Sequence, residues 1–288
     1  MRRTIHIWAI AALSMMLLTL PAWSQQTRQL VILHTSDTHS HVDPIDENSA
    51  DRNAGWGGVA RRAALVRQER QTAETFLLLN CGDISQGTPY YNMFQGEVEM
   101  KSMNLMGYDA MTIGNHEFDY GLDNMLRLFT MADFPVVCAN YDFTGTVLEK
   151  VVKPYAVLKR GGMRIGVFGL SPQLEGLVQK TKCEGVKMKD TVESAREAIA
   201  ALEKKHCDMI IMLSHLGVDP NLKEPGEWDH TVVPQIQGVD LVLGGHTHTF
   251  LSHPVMVKDQ TGKEIPVMHI GGNGVYMSKT VVELETKK

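Results

Sequence analysis

The chain has 288 residues, 43% of them hydrophobic, and its 28 Lys and Arg against 33 Asp and Glu give a formal net charge of −5. That length can bury a sizeable core, and an acidic balance with no dense basic run excludes the electrostatic footprint of a protein that grips polymeric DNA or RNA. The four cysteines, Cys81, Cys138, Cys183 and Cys207, include no C-x-x-C pair, which argues against a cysteine zinc site and against a disulfide scaffold.

Residues 1–24 begin with Arg2 and Arg3, continue through an apolar run to Leu20, and reach Pro21 with small residues at Ala22 and Ser24. This is the layout of a secretory signal peptide cut before Gln25. The run is short and carries Ser14 and Thr19, whereas a bilayer span wants about 20 apolar residues. The expectation is an exported chain, periplasmic or secreted, with no stable membrane span after cleavage and a single domain over residues 25–288.

From Leu30 onward, apolar runs of buried-strand length alternate with amphipathic stretches, the pattern of one α/β domain. A strand over Leu30 to Leu33 is followed by a helix over Gly58 to Thr72 and a strand over Phe76 to Leu79. Then come a strand over Ala110 to Ile113, a helix over Asp119 to Met131, and strands over Pro135 to Cys138 and Ile165 to Leu170. A helix over Thr191 to Lys205 leads to strands over Met209 to Leu213 and Val239 to Leu243. The closing segment alternates apolar and polar residues around Thr261 and Gly262, as an antiparallel hairpin would. Met100, Met103 and Met106 are expected to fill core, Cys81 to be a buried inert thiol, and Arg61, Arg62, Arg67 and Arg70 to form a solvated helix face.

The chemistry gathers just past the strand ends. Leu30 to Leu33 runs into Asp37 and His39, Phe76 to Leu79 into Asp83, and Ala110 to Ile113 into Asn115, His116 and Asp119. Met209 to Leu213 runs into His215, and Val239 to Leu243 into His246 and His248. Each piece alone is weak, but open α/β sheets place ligands beyond the carboxyl ends of their strands. Residues at i and i+2 of an extended segment point the same way, which would let Asp37 converge with His39, and His246 with His248.

Two carboxylates, one amide oxygen and four imidazoles exceed what one ion needs. With Asp83 bridging, they fill two sites, which suits a two-metal centre. Nitrogen and oxygen donors without thiolate favour divalent manganese, zinc, iron or cobalt over magnesium or calcium.

In this order, D-x-H, G-D, G-N-H-E, a later His and G-H-x-H resemble the calcineurin-like metallophosphoesterase superfamily. Within it, "ILHTSDTHSH", "GGVARRA", "GNHEFDYG", "SHLG" and "GGHTH" resemble the catalytic domain of the exported 5′-nucleotidases and their 2′,3′-cyclic phosphodiesterase relatives. The resemblance implies a four-layer α/β/β/α sandwich and a small phosphate ester, above all a 5′-nucleotide, as substrate. It implies one metal on Asp37, His39, Asp83 and His248, a second on Asp83, Asn115, His215 and His246, and a catalytic pair of His116 and Asp119. Members of that group continue into a second domain that carries nucleoside recognition, whereas this sequence ends at Lys288. The departure implies a separate docking chain of that type, action alone with broad specificity, or another ester. Phosphodiesters and sulfur compounds are hydrolysed on the same scaffold.

Overall fold

The computed structural model describes residues 27–285, so the expected signal peptide at 1–24 lies outside the described residues. The first half of the chain supplies β1 (Thr27–Thr35), α1 (Val59–Thr72), β2 (Thr75–Asn80), α2 (Pro89–Phe94), α3 (Glu97–Met106), β3 (Ala110–Thr112), α4 (Leu122–Met131), β4 (Val136–Val137) and β5 (Tyr141–Asp142). The second half supplies β6 (Tyr155–Arg160), β7 (Met163–Leu170), β8 (Lys187–Met188), α5 (Thr191–Lys204), β9 (Met209–Ser214), α6 (Asp229–Val232), β10 (Leu241–Gly244), β11 (Val255–Lys258), β12 (Glu264–His269) and β13 (Ser278–Glu285).

Two sheets result. One has the order β13-β1-β2-β3-β4, the other β11-β12-β10-β9-β7-β6, and β5 pairs with β8 in a small third ribbon. Inner neighbours run parallel, and the edge strands β13, β11 and β6 are antiparallel to theirs while the edge strand β4 is parallel to β3. Alternation sorts the side chains of every central strand into two cores. Leu30, Ile32, Leu77, Leu79, Ile211 and Leu213 face the other sheet. Val31, Leu33 and Leu78 face the helices of their own layer, and Ile210, Met212 and Val242 do the same on the far side. Strands buried on both faces read as unbroken apolar runs, which is why they are legible in the sequence. The layers run helix, sheet, sheet, helix, the expected α/β sandwich. Truncating a side chain between the sheets, as in Leu213→Ala, should cost about 2–5 kcal/mol.

The expected hairpin is present as β11 and β12, with Lys258 opposite Glu264. Its turn is held by the Asp259 carboxylate, which accepts from Thr261 N at 2.8 Å and Lys263 N at 2.9 Å. It does not finish the domain. Strand β13 returns to the first sheet and pairs antiparallel with β1. The sequence reading passed over it because an edge strand wetted on one side carries polar residues throughout.

The helix expected over Asp119 to Met131 starts later. A 3-10 turn covers His116–Phe118, and α4 begins at Leu122. Met100, Met103 and Met106 are buried as expected, and so is Cys81, whose thiol is pushed up by burial. All four cysteines are free. The arginine face is corrected at Arg62 alone, since Arg61, Arg67 and Arg70 are exposed as expected. Arg62 is buried, and Arg70 donates to Met106 O and Gly107 O, each at 2.8 Å, with its guanidinium over the Phe76 ring. Helix α1 packs against α3, so the side of α1 that carries Arg62 is an internal surface.

Candidate metal centre

The loops after β1, β2, β3, β9 and β10 meet at one edge of the sandwich and bring together six of the seven residues expected as ligands, with Asn115 next in the chain to His116, whose N–H bonds Asp83. Backbone hydrogen bonds stitch the loops. Asp37 N donates to Gly82 O at 3.0 Å and His39 N to Asp83 O at 3.2 Å. From the second sheet, His246 N donates to the Asp37 carboxylate at 2.9 Å, and Gly245 N to Ser214 O at 3.1 Å.

Ligating atoms fall into two groups, Asp37 with His39 and His248, and Asp83 with His215 and His246, each set lying within 4.8 Å. The backbone reaches this arrangement by a route that alternation does not describe. Asp37, His39, Asp83, His246 and His248 all sit at positive φ, between 45° and 79°. Non-glycine residues in that region carry strain that the surrounding fold must hold, and such strain concentrates at functional sites. His246 and His248 part company, one to each group.

Tautomers follow from the partners. The Nδ1 of His215 lies 2.5 Å from Cys81 O and that of His39 lies 3.3 Å from Ser85 O. A carbonyl oxygen only accepts, so Nδ1 carries a proton in both rings and Nε2 is the atom turned toward the site. The two carboxylates make the spot electron-rich. Burial alone would raise the Asp83 carboxyl, but His215, with Nε2 3.0 Å from Asp83 Oδ2, brings it below the usual carboxylate range. Burial would likewise lower His215, yet Asp83 and Asp37 push it up to about 10. For Asp37 burial dominates and raises the carboxyl.

The donor set fits divalent cations. Asn115 Oδ1 is buried with no hydrogen-bond partner, and a polar atom buried that way needs something to bind. The Nε2 atoms of His39 and His248 approach to 2.8 Å, two basic nitrogens aimed at one point. Nitrogen and oxygen donors of this mixture suit transition metals.

Beside the inner group, His116 N donates to Asp83 Oδ1 at 2.9 Å, and its ring Nδ1 donates to Asp119 Oδ2 at 3.0 Å. The hydrogen bond to Asp119 raises the His116 imidazole above its ordinary value, against partial burial. Both side chains are about one-third exposed, His116 at 31% and Asp119 at 34%, so a substrate can reach them.

One residue in the neighbourhood escaped the sequence reading. Glu117 is buried, and its carboxylate accepts from Asp83 N at 3.0 Å, Ile84 N at 2.9 Å and Gly114 N at 2.5 Å. It ties the loop after β2 to the loop after β3, and burial raises its carboxyl to about 7. Gly114 is glycine because a Cβ there would collide with the Asp83 carboxylate. The only sequence signal for Glu117 was an acidic residue with apolar Phe118 after it, inside a motif whose other members already had roles.

This fold and this cluster define a metal-dependent hydrolase. Residues 30–250 match the calcineurin-like phosphoesterase family, and the chain belongs to it. Among curated relatives, a snake venom 5′-nucleotidase of Gloydius brevicauda is 32% identical over 98% of this chain and 48% of its own length. A 5′-nucleotidase of Rattus norvegicus is 32% identical over 97% of this chain and 50% of its own. Among solved structures, a 5′-nucleotidase precursor from Thermus thermophilus superposes with a TM-score of 0.76 at 30% identity, covering 89% of this chain and 54% of that one. The chain spans about half the length of the curated relatives it matches.

Proposed function

We propose that this chain is an exported, periplasmic or secreted, dinuclear-metal phosphoesterase that hydrolyses 5′-nucleotides to nucleoside and phosphate, with its catalytic machinery in one domain over residues 25–288. The observation that carries the reading is the pair of ligand groups flanked by His116 and Asp119. Similarity to proteins named 5′-nucleotidase supports the substrate class. Among the described residues no helix is long and apolar enough to cross a membrane.

In this reading Asp37, His39, Asp83 and His248 hold one ion, and Asp83, Asn115, His215 and His246 hold the other, with Asp83 shared. Manganese, zinc, iron or cobalt ions there would supply Lewis-acid polarisation of phosphoryl oxygens and an activated water nucleophile. The side chains do the rest. The Nδ1–H of His215 is committed to Cys81 O and that of His39 to Ser85 O, which fixes both rings and keeps Nε2 basic. His116, charged through Asp119, offers Nε2–H to the phosphate and can pass that proton to the departing alkoxide. Asp119 holds the ring in that tautomer, and Glu117 keeps the backbone of Asp83 in place.

The test is phosphate release by the purified mature chain, Gln25 to Lys288, supplied with manganese or zinc, on 5′-AMP beside an aryl phosphate and an aryl phosphodiester. Fast, selective cleavage of 5′-AMP is expected. The match reaches only about half of each relative's length, so nucleoside selectivity is the finer part of the reading. Hydrolysis of the aryl esters alone would assign that selectivity to a second chain, and no hydrolysis of any ester would sink the proposal.

A further inference from the structure

Behind the ligand loops, a small cavity lies between α1, α3 and the loop that follows β1. Its volume is about 20 Å³, and Thr38, Ser40, Arg62, Glu99 and Tyr108 are among the residues that line it. That space holds one water molecule. Three of these side chains are more than nine-tenths buried, Ser40 at 1% exposed, Arg62 at 9% and Glu99 at 7%. Ser40 Oγ, Arg62 Nε and both carboxylate oxygens of Glu99 are buried and make no hydrogen bond within the protein. Four such atoms around one small cavity would each cost a desolvation penalty if they stayed unpaired.

Charge selects the partner. The guanidinium of Arg62 and the carboxylate of Glu99 already sum to zero, so an ion of either sign would leave a net charge in a buried place. A neutral molecule that both donates and accepts satisfies both ends, accepting from Arg62 Nε–H and donating to Glu99.

The other end of Arg62 reaches the ligand loops. Its Nη1 donates to His41 O at 3.4 Å and to Gly274 O at 3.2 Å. His41 is two residues beyond His39, and Gly274 follows Asn273, whose N–H donates to Asp37 O at 2.7 Å. Gly274 has φ 61°, and a Cβ there would run into the guanidinium. One side chain therefore clasps the two segments that frame Asp37, His39 and His248.

We propose that the cavity is a water-binding site joining Arg62 to Glu99, and that Arg62, held by it, is a positioning residue for the ligand group of Asp37, His39 and His248. The positioning half rests on the metal-centre reading above; the water half stands independently of it. A high-resolution crystal structure of the full mature chain should show one ordered water within hydrogen-bond distance of Glu99 and Arg62. Calorimetric titration of the metal-free protein with manganese should show two binding steps. Arg62→Met should weaken one of them about tenfold or more, the usual scale for groups that orient ligands, and leave the other unchanged. Arg62→Lys and Glu99→Gln, which keep part of the network, should shift the same step less. A cavity without ordered density would overturn the water site. Unchanged binding in all three variants, or equal weakening of both steps in proportion to a lowered Tm, would reduce Arg62 to a core residue. If the parent protein binds no metal, the metal-centre reading fails, and the density alone decides the water site.

Discussion

The two ligand groups are built from the same residue types and differ in depth. The inner one is the deeper, with His246 half-buried. His215 is fully buried and shares a short contact with Asp83, and Glu117 fastens the backbone beneath them. In the outer one the His248 side chain is 45% exposed and stands at the rim. Depth assigns different duties to similar side chains. The proposed inner ligands Asp83 and His215 double as fold elements, since removing one strands a buried charge. The proposed ligand His248 can be lost with little more than the affinity it supplies.

Substitutions sharpen that contrast. The largest effect is expected for His215→Ala, which leaves Asp83 without its partner. Stability should drop by about 3–5 kcal/mol, the range for breaking a buried ion pair, as read by denaturant unfolding of the metal-free protein. A loss below about 1 kcal/mol would contradict the depth argument. His116→Ala comes next. Turnover should fall by about 10²-fold or more with both metals retained, and an unchanged kcat would remove His116 from the mechanism. His248→Ala should weaken one metal by about tenfold while barely moving the unfolding midpoint. If the midpoint falls as far as for His215→Ala, the inner and outer groups are not distinct.

A further effect is a pH slope set by a buried histidine. His34 is fully buried, between Ser278 Oγ at 2.8 Å and Gly244 O at 3.2 Å, and burial pushes its imidazole down from 6.5 to about 3. Unfolded His34 binds a proton in that interval and folded His34 refuses it, so the unfolded state takes up more protons. Stability from this residue should therefore fall as pH drops from about 6.5 toward 3, by at most about 1.4 kcal/mol per pH unit. His34→Gln should flatten the slope in acid unfolding. An identical slope in the variant would place the titrating group elsewhere.

The placement of the site at the strand ends was legible because Asp, His and Asn crowd behind apolar runs that are buried on both faces. The pairing within the site was only half legible. Alternation correctly joined Asp37 to His39 but also joined His246 to His248, which fall in different groups on a backbone at positive φ. A period of two cannot signal a left-handed backbone. Glu117 and Arg62 stayed hidden for another reason. Their partners are main-chain N–H and C=O groups of distant loops, and those carry no sequence signature. Strand β13 was missed because its pattern is that of a wetted edge. Its pairing with β1 spans nearly the whole chain.

The most direct test of a two-metal centre is the number of ions bound. The mature chain, saturated with manganese and weighed intact by native mass spectrometry, should carry two per molecule, and Asp83→Asn, which alters the shared carboxylate, should carry fewer. One ion or none on the parent protein, or two on the variant with parent affinity, would contradict the account.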